Sequence, residues 1–207
     1  MRRTRRHRKD LVSTVALPAS PVPALCLIRL GDAEVPLLQR FFDDNPAYFS
    51  AVHGEPALPN EAHEEVHGEL PAGFSYSEKL VLGYQQPDGA LAAMATVITD
   101  LLAAQVWHIG LFIVASTRHG NGDAQRLHAG LEGWAREHGA EWLRLGVVQG
   151  NARAERFWAA CGYAQVRLRE GLAMGRLTNT VRVMVKPLAG GSHAEYLDRV
   201  PRDRPEA

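Results

Sequence analysis

Residues 107–163 constrain this chain more than any other stretch. They read strand, glycine loop, helix, strand, helix: WHIGLFIVAS, TRHGNG, DAQRLHAGLEGWAREHG, AEWLRLGVV and QGNARAERFWAACGY. A glycine loop between a buried strand and a helix lets backbone N–H groups converge on phosphate oxygens. The second helix opens on Asn151 and closes on Gly162. The parts make one βαβα unit with a phosphate cradle at one end, and that narrows function sharply.

The loop can be argued residue by residue. Gly120 and Gly122 carry no Cβ, so the chain can turn tightly and approach a ligand closely. The helix is expected to begin within residues 121–123, leaving its first N–H groups without intrahelical partners. Those donors, and the positive end of the helix dipole, favour a pyrophosphate. A plain strand-to-helix turn, with glycines for geometry only, explains the loop as well. The dinucleotide fingerprint G-x-G-x-x-G fails, because Gln125 stands at its third glycine. That fingerprint also wants an acidic residue at the end of the next strand, where Val148 and Gln149 stand. A dinucleotide fold is excluded.

Two blocks carry a family likeness. The first is His119, Gly120, Asn121, Gly122, Asp123 and Ala124, followed by Gln125, Arg126 and Leu127. The second is Asn151, Ala154, Phe157, Trp158, Gly162 and Tyr163. In this order and separation they resemble the GNAT acyl-CoA N-acetyltransferase superfamily. Its hallmark is Arg or Gln, two residues, Gly, one residue, then Gly or Ala. Its second block reads N-x-x-A-x-x-F-Y-x-x-x-G-F. Gly122 and Ala124 match the late small positions. His119 departs at the first position; histidine still donates a hydrogen bond to phosphate, but is a full cation only when protonated. Arg118 next door can compensate. Trp158 takes the tyrosine place. The likeness is firm over residues 106–188 and looser over 24–105.

The resemblance implies an α/β fold: a mixed, mostly antiparallel central sheet with two splayed parallel strands and flanking helices. It implies acyl transfer from acetyl-CoA to an amine. The strands at 106–114 and 142–148 would be the splayed pair. The pantetheine arm would pair with free backbone groups at Phe112, Ile113 and Val114. His119, Gly120, Asn121, Gly122, Asp123 and Ala124 would hold the pyrophosphate. Asn151 would contact pantetheine or nearby backbone, although a helix N-cap explains its residue type too. Trp158 would border the same arm. A backbone N–H near Val114 would hold the oxyanion. The usual general acid is the tyrosine that Trp158 replaces, and an indole N–H supplies no proton at neutral pH. A thiol pKa of about 8.5 makes the thiolate a fair leaving group without one.

For the general base, the candidate lies on the central strand. By alternation His108 shares a face with Gly110, Phe112 and Val114, and histidine suits base work near neutrality. A histidine bonded within the core explains it as well. Tyr48 and Phe49 can wall the acceptor site or simply fill the core.

A second motif competes. His63, Glu64, Glu65, Val66 and His67 spell H-E-x-x-H, which on a helix sets two histidines one turn apart as a zinc protease needs. The helix would lie between Pro59 and Pro71. Val66 is the only large apolar residue between the histidines, and Leu70 and Gly73 stand where a longer zinc motif continues. A short solvated helix with a chance match explains it better, and a peptidase leaves the βαβα unit unexplained.

The remaining chain fits one domain of 207 residues. Net charge is formally zero, but residues 1–9 hold six basic side chains, which leaves 17 basic against 23 acidic residues elsewhere. The folded part is thus mildly acidic, which argues against a nucleic-acid surface. The apolar run after the basic arm is short and meets Pro18, so no stretch is long enough to cross a bilayer. Cys26 and Cys161 make no disulfide framework, and a reducing cytoplasm is the default. Residues 1–23 are expected to be a disordered basic extension, with a transit peptide or weak export signal as the alternative, 24–188 the domain, and 189–207 a frayed polar tail.

Residues 25–30 read as an edge strand, and Asp32 as the cap of a helix through Phe42. Residues 45–52 read as a short helix or turn, and 79–84 and 91–98 as strands paired around QQPDG. Leu127, Leu131, Trp134 and His138 share one helical face, which Gly139 ends. Strands are expected at 164–169 and 180–186. The reading is an N-acetyltransferase moving an acetyl group from acetyl-CoA to the primary amine of a small molecule. It needs no metal, nucleic acid or membrane, and leaves a homodimer open. A non-catalytic acyl-CoA-binding module is the alternative, suggested by Trp158 and the altered first motif position; a zinc peptidase through His63, Glu64 and His67 is the distant one.

Overall fold

The sheet grows in chain order up to its centre and then reverses. The computed structural model describes residues 16–205; the basic cluster at residues 2–9 lies outside them. Strand β1 (Cys26–Arg29) forms one edge. Three short helices follow, α1 (Val35–Asp44), α2 (Ala47–His53) and α3 (Glu61–His67). Strands β2 (Glu78–Gln85), β3 (Leu91–Thr99) and β4 (Val106–Val114) form an antiparallel meander. Every residue of β3 is buried, as expected of a strand covered on both faces. Helix α4 (Asp123–Glu137) then crosses over to β5 (Trp142–Val148), which lies parallel to β4. Helix α5 (Ala152–Ala160) leads into a long hairpin, β6 (Ala164–Met174) and β7 (Leu177–Pro187), whose second strand inserts beside β5. Helix α6 (His193–Arg199) follows the hairpin, and a 3-10 turn at Pro201–Asp203 comes after it. The strand order is β1-β2-β3-β4-β5-β7-β6, antiparallel except for β4–β5. This is the mixed, splayed architecture expected from the sequence.

The two faces of the sheet bury different partners. Leu127, Leu131 and Trp134 of α4 pack with Val97, Ile109, Leu143 and Leu145 on one face. Phe41, Phe42 and Phe49 pack with Met94 and Ile113 on the other. Helix α4 is bracketed by Gly122 at φ +83° and Gly139 at φ +87°, both left-handed conformations that favour glycine. His138 does not share the buried face: it sits exposed past the helix end, its Nδ1 against the Trp134 carbonyl.

Three sequence expectations need correction. Asp32 does not cap α1. The chain enters through a 3-10 turn with Pro36 in the first helical turn, and Glu34 accepts from the Gly31 N–H at 2.9 Å. Asp32 instead meets His67 Nε2 at 2.8 Å. The expected extension is packed over residues 16–23: Trp134 Nε1 donates to the Ala16 carbonyl at 2.9 Å, Pro21 seats on Gly130, and Val22 is buried. The tail is not frayed. Ser192 and Glu195 form a capping box at the start of α6, and Tyr196 and Val200, one turn apart, are buried with Val106, Trp142 and Val185. That capping box was readable in the sequence, but the apolar pair behind it is too short to stand out.

Candidate active site

Strands β4 and β5 are neighbours for only part of their length. Their pairing runs from Val106–Trp142 to Ile109–Leu145 and stops there, while both strands continue. The cause lies in β4. Against β3, Ile109 faces Val97 but Leu111 faces Thr96, so Gly110 is an extra residue that forms a bulge. A bulge bends its strand and ends regular pairing. Gly110 and Gly146 face each other's strands without side chains and are exposed in the gap.

The bulge also reverses parity. Trp107 and Ile109 lie on the α4 face, and so do Phe112 and Val114 beyond the bulge. His108 therefore falls on the opposite face, opposite Ile98 and beside Arg144 in the register. The expectation that His108 shares a face with Phe112 and Val114 is overturned, because strict alternation does not survive an inserted residue.

Backbone groups in the gap follow from the same register. The Ala115 N–H bonds to the Ala92 carbonyl on β3, so by alternation Ile113 also points to β3 while Phe112 and Val114 point into the gap. Ile113 thus offers its backbone to the sheet, and Phe112 and Val114 offer theirs to a ligand. The Val114 carbonyl is already engaged: His119 Nε2 lies 2.8 Å from it and donates. The His119 ring is thus turned to the mouth of the gap and braces strand β4, a placement the motif position did not reveal.

The glycine loop holds itself together from within. Asp123, buried at the first position of α4, accepts from Arg118 Nε at 2.9 Å and from Asn121 Nδ2 at 3.0 Å. Asn121 Oδ1 takes the Asp123 N–H, and Arg126 donates to the Asn121 carbonyl. Asp123 is therefore a brace of the loop, and neither its carboxylate nor its N–H is spare. The N–H groups of Gly120, Asn121, Gly122, Ala124 and Gln125 have no partner among the described residues. A Cβ built on Gly120 would meet nothing within 4 Å, so this cradle opens outward. Five unpaired donors at a helix N-terminus suit a pyrophosphate.

Two cavities meet at the gap. The smaller, 230 Å³, runs from His119 and Ala124 along Phe112 and Val114. The larger, 530 Å³, lies on the α1–α3 side and is walled by the β6–β7 hairpin and the 3-10 turn at Pro201–Asp203. They share Tyr48, Phe112, Asn151, Ala154 and Trp158. Asn151 both caps α5, accepting from the Ala154 N–H at 3.2 Å, and borders both cavities. Trp158 is buried against Phe112 and Phe157, and its indole N–H has no hydrogen-bond partner among the described residues. Tyr48 reaches the junction, its phenol pKa raised by burial and by nearby Glu65 and Glu61. Phe49 does not: it is fully buried against Phe42, ring centroids 4.9 Å apart, and walls neither cavity.

His108 lines the larger cavity but is poorly suited to take a proton. Arg144 can only donate, so His108 Nδ1 accepts from it at 3.3 Å and the neutral ring carries its hydrogen on Nε2. Burial and the Arg144 charge push its pKa down to about 3. Arg144 is itself held by Asp203 through two bonds of 2.7 and 2.9 Å, and Tyr196 donates to the same carboxylate. A carboxylate that sequence reasoning missed is Glu65. Burial raises its pKa although Thr96 donates to it, and Thr96 packs against Gly110 at the gap. Its place inside H-E-x-x-H hid it.

That motif does form a helix, but not a metal site. Its histidines are exposed, their rings 4.6 Å apart, with His67 bonded to Asp32. Among the described residues no three His, Cys, Asp or Glu side chains are placed to hold a metal ion. No described helix is long and apolar enough to cross a membrane.

The family described as "Acetyltransferase (GNAT) family" matches residues 38–163. No curated protein matches. Solved structures with the same fold include an acetyltransferase from Thermus thermophilus, at TM-score 0.60 and 19% identity, covering 79% of this chain and 97% of that one. Another is spermidine N-acetyltransferase from Vibrio cholerae in complex with CoA and spermine, at TM-score 0.61 and 14% identity, covering 80% and 96%. A third is a ribosomal-protein-alanine N-acetyltransferase from Brucella melitensis, at TM-score 0.57 and 19% identity, covering 79% and 99%.

Proposed function

Because the chain belongs to the acetyltransferase (GNAT) family, we propose that it transfers the acetyl group of acetyl-CoA to the primary amine of a small molecule. One observation carries the reading: the gap between β4 and β5 joins two cavities, one leading to the unpaired loop donors and one closed by side chains. The residues fit the cosubstrate. Gly120, Asn121, Gly122, Ala124 and Gln125 would take the pyrophosphate through backbone N–H groups, and Phe112 and Val114 would pair with the pantetheine arm. The thioester supplies an activated acetyl group.

The protein's own groups then have three tasks: position the amine, remove its proton, and stabilise charge on the carbonyl oxygen. The Val114 N–H, aimed into the gap, would donate to that oxygen. His108, its lone pair occupied by Arg144, is a poor proton acceptor. Glu65 lies behind Thr96 at the bulge and borders neither cavity, so it would act on the amine only through the Thr96 hydroxyl. His108 Nε2–H is left as a donor facing the larger cavity. Trp158 would shape the passage and exclude water without protonating the thiolate, a tolerable loss for a group with a pKa of about 8.5. Two free cysteines suit a reducing cytoplasm.

The test is thiol release from acetyl-CoA across a panel of amines. Amine-dependent release supports transfer. The second reading, a non-catalytic acyl-CoA-binding module, is favoured by Trp158 and the low pKa of His108. Tight acetyl-CoA binding with no release from any amine would select it.

A further inference from the structure

The larger cavity has a charge pattern that acetyl transfer by itself does not require. Three arginines border it, Arg144, Arg169 and Arg202, and no Asp or Glu does. Only Arg144 is neutralised, by its two bonds to Asp203.

Arg169 lies on β6, opposite Val181 in the register, and is partly buried. Its guanidinium has neither a hydrogen bond nor an ion pair among the described residues. Just beyond it the strand bulges, between the Arg169 and Leu172 pairings. The hairpin tip is then tied down on α2: the Arg176 N–H donates to the His53 carbonyl and Asn179 Nδ2 to the Val52 carbonyl, both at 2.8 Å. The hairpin thus arches over the cavity and carries Arg169 with it. Burial, then the charges of Arg202 and Arg144, lower the pKa of its guanidinium. Arg202 stands at the rim. Its guanidinium lies 4.1 Å from the Phe74 ring centroid and donates to the Gly73 carbonyl at 3.2 Å, while its own carbonyl accepts from Arg167. It is fixed in place by neutral groups, so its charge is not compensated by a carboxylate.

Confining like charges in a partly dry cavity is costly unless an anion joins them. A polyamine would add further positive charge to this chamber. A carboxylate would relieve it, and the planar guanidinium fork matches a carboxylate with two parallel bonds. We propose that the acceptor is a small amine that also bears a carboxylate or similar oxyanion, held by Arg169 with Arg202 while the amine end points to the β4–β5 gap. The proposal rests on the acetyltransferase reading for the identity of the amine, but not for the binding of the anion.

The test uses full-length protein loaded with coenzyme A. Matched acceptors are compared by calorimetry: free amino acids, their carboxamides, spermidine, and a short peptide with a free N-terminus. Wild type should bind the amino acids at least about tenfold more tightly than the carboxamides, as expected for a charge-assisted contact. Arg169→Gln should erase that gap and Arg169→Lys should restore part of it, with coenzyme A affinity reporting that each variant is folded. Arg202→Gln should narrow the gap less. Preference of wild type for the carboxamide, the polyamine or the peptide would overturn the proposal, as would an unchanged gap in Arg169→Gln. Thiol release is scored separately. An amino-acid preference in binding with no thiol released counts against the transferase reading alone. Thiol released with no regard to the carboxylate counts against this proposal alone.

Discussion

The two cavities touch at five residues and are built in opposite ways. The smaller one, though walled by Tyr48, Phe157 and Trp158, leads to backbone donors. Its donors are the N–H groups of a glycine loop and of two residues on a strand that has lost its neighbour. The larger one is made of side chains brought from far apart: Tyr48 on α2, His108 on β4, Arg144 on β5, Arg169 on β6 and Arg202 in the final turn. Backbone geometry depends on a few glycines in a row, so it is local and robust. A chamber of side chains depends on every element that carries one, so it is sensitive to distant change. This contrast fits a constant cosubstrate on one side and a particular acceptor on the other.

The contrast is broken most severely at the tail. Asp203→Ala strips both bonds from buried Arg144 and one from Tyr196. Leaving a buried charge unpaired should cost about 3–5 kcal/mol, read by urea unfolding at pH 7. Acceptor binding should fall with it, while the glycine loop, which Asp203 does not touch, still binds acetyl-CoA in the folded fraction. Equal loss at both cavities would mean that they are not separately built.

On the other side, Gly122→Val forces a β-branched residue to φ +83° and fills the approach to the loop. Loss of two phosphate contacts should lower acetyl-CoA affinity by about 100-fold. Calorimetry on the folded variant checks this, and unchanged affinity would remove the loop from the site.

Acid should act through two histidines, His108 at the larger cavity and His128 on α4. The folded pKa of His108 is pushed to about 3, and that of buried His128 to about 4, against an ordinary value of 6.5. Between these values the unfolded chain binds more protons than the folded one. Stability is therefore full above about pH 6.5 and is lost as pH falls toward the folded values. Unfolding free energy measured from pH 7.5 to 4.5 should decline, and His108→Asn should flatten the slope. A slope unaltered in that variant would mean that His108 is not held neutral.

Smaller effects are expected where the two cavities join. Trp158→Phe should keep kcat within about threefold, and Trp158→Tyr should not raise it by orders of magnitude, since no proton is asked of this position. Collapse in Phe with rescue in Tyr would show the opposite. His119→Ala should weaken acetyl-CoA binding by only about threefold, through a less well braced Val114 carbonyl. The loss should be equal at pH 6 and pH 8, because Nε2–H is present in both protonation states of the ring. A loss confined to low pH would restore the phosphate contact expected from the motif.

How much was legible follows the same division. The glycine loop and the capped start of α5 were readable because each is encoded within a few neighbouring residues, Gly120 and Gly122 for the turn and Asn151 for the cap, whereas the parallel pair came only with the family resemblance. The bulge at Gly110 was not readable. A lone glycine in an apolar strand has no local signature of an inserted residue, yet it set the face of His108. Nothing local marks Arg169 or Arg202 apart from the other arginines, and Glu65 lay inside a motif that suggested a metal.

By itself, then, the sequence determined the family, the order of elements as far as β7 and the glycine turn before α4, since those rest on short-range patterns of glycine, cap and apolar period. Tertiary structure alone decided the chamber. Only the packed chain places Asp203 on Arg144, closes the β6–β7 hairpin over α2, and leaves Arg169 facing a cavity without a counterion. Charge compensation is a property of distances between residues remote in sequence, and no local pattern records them.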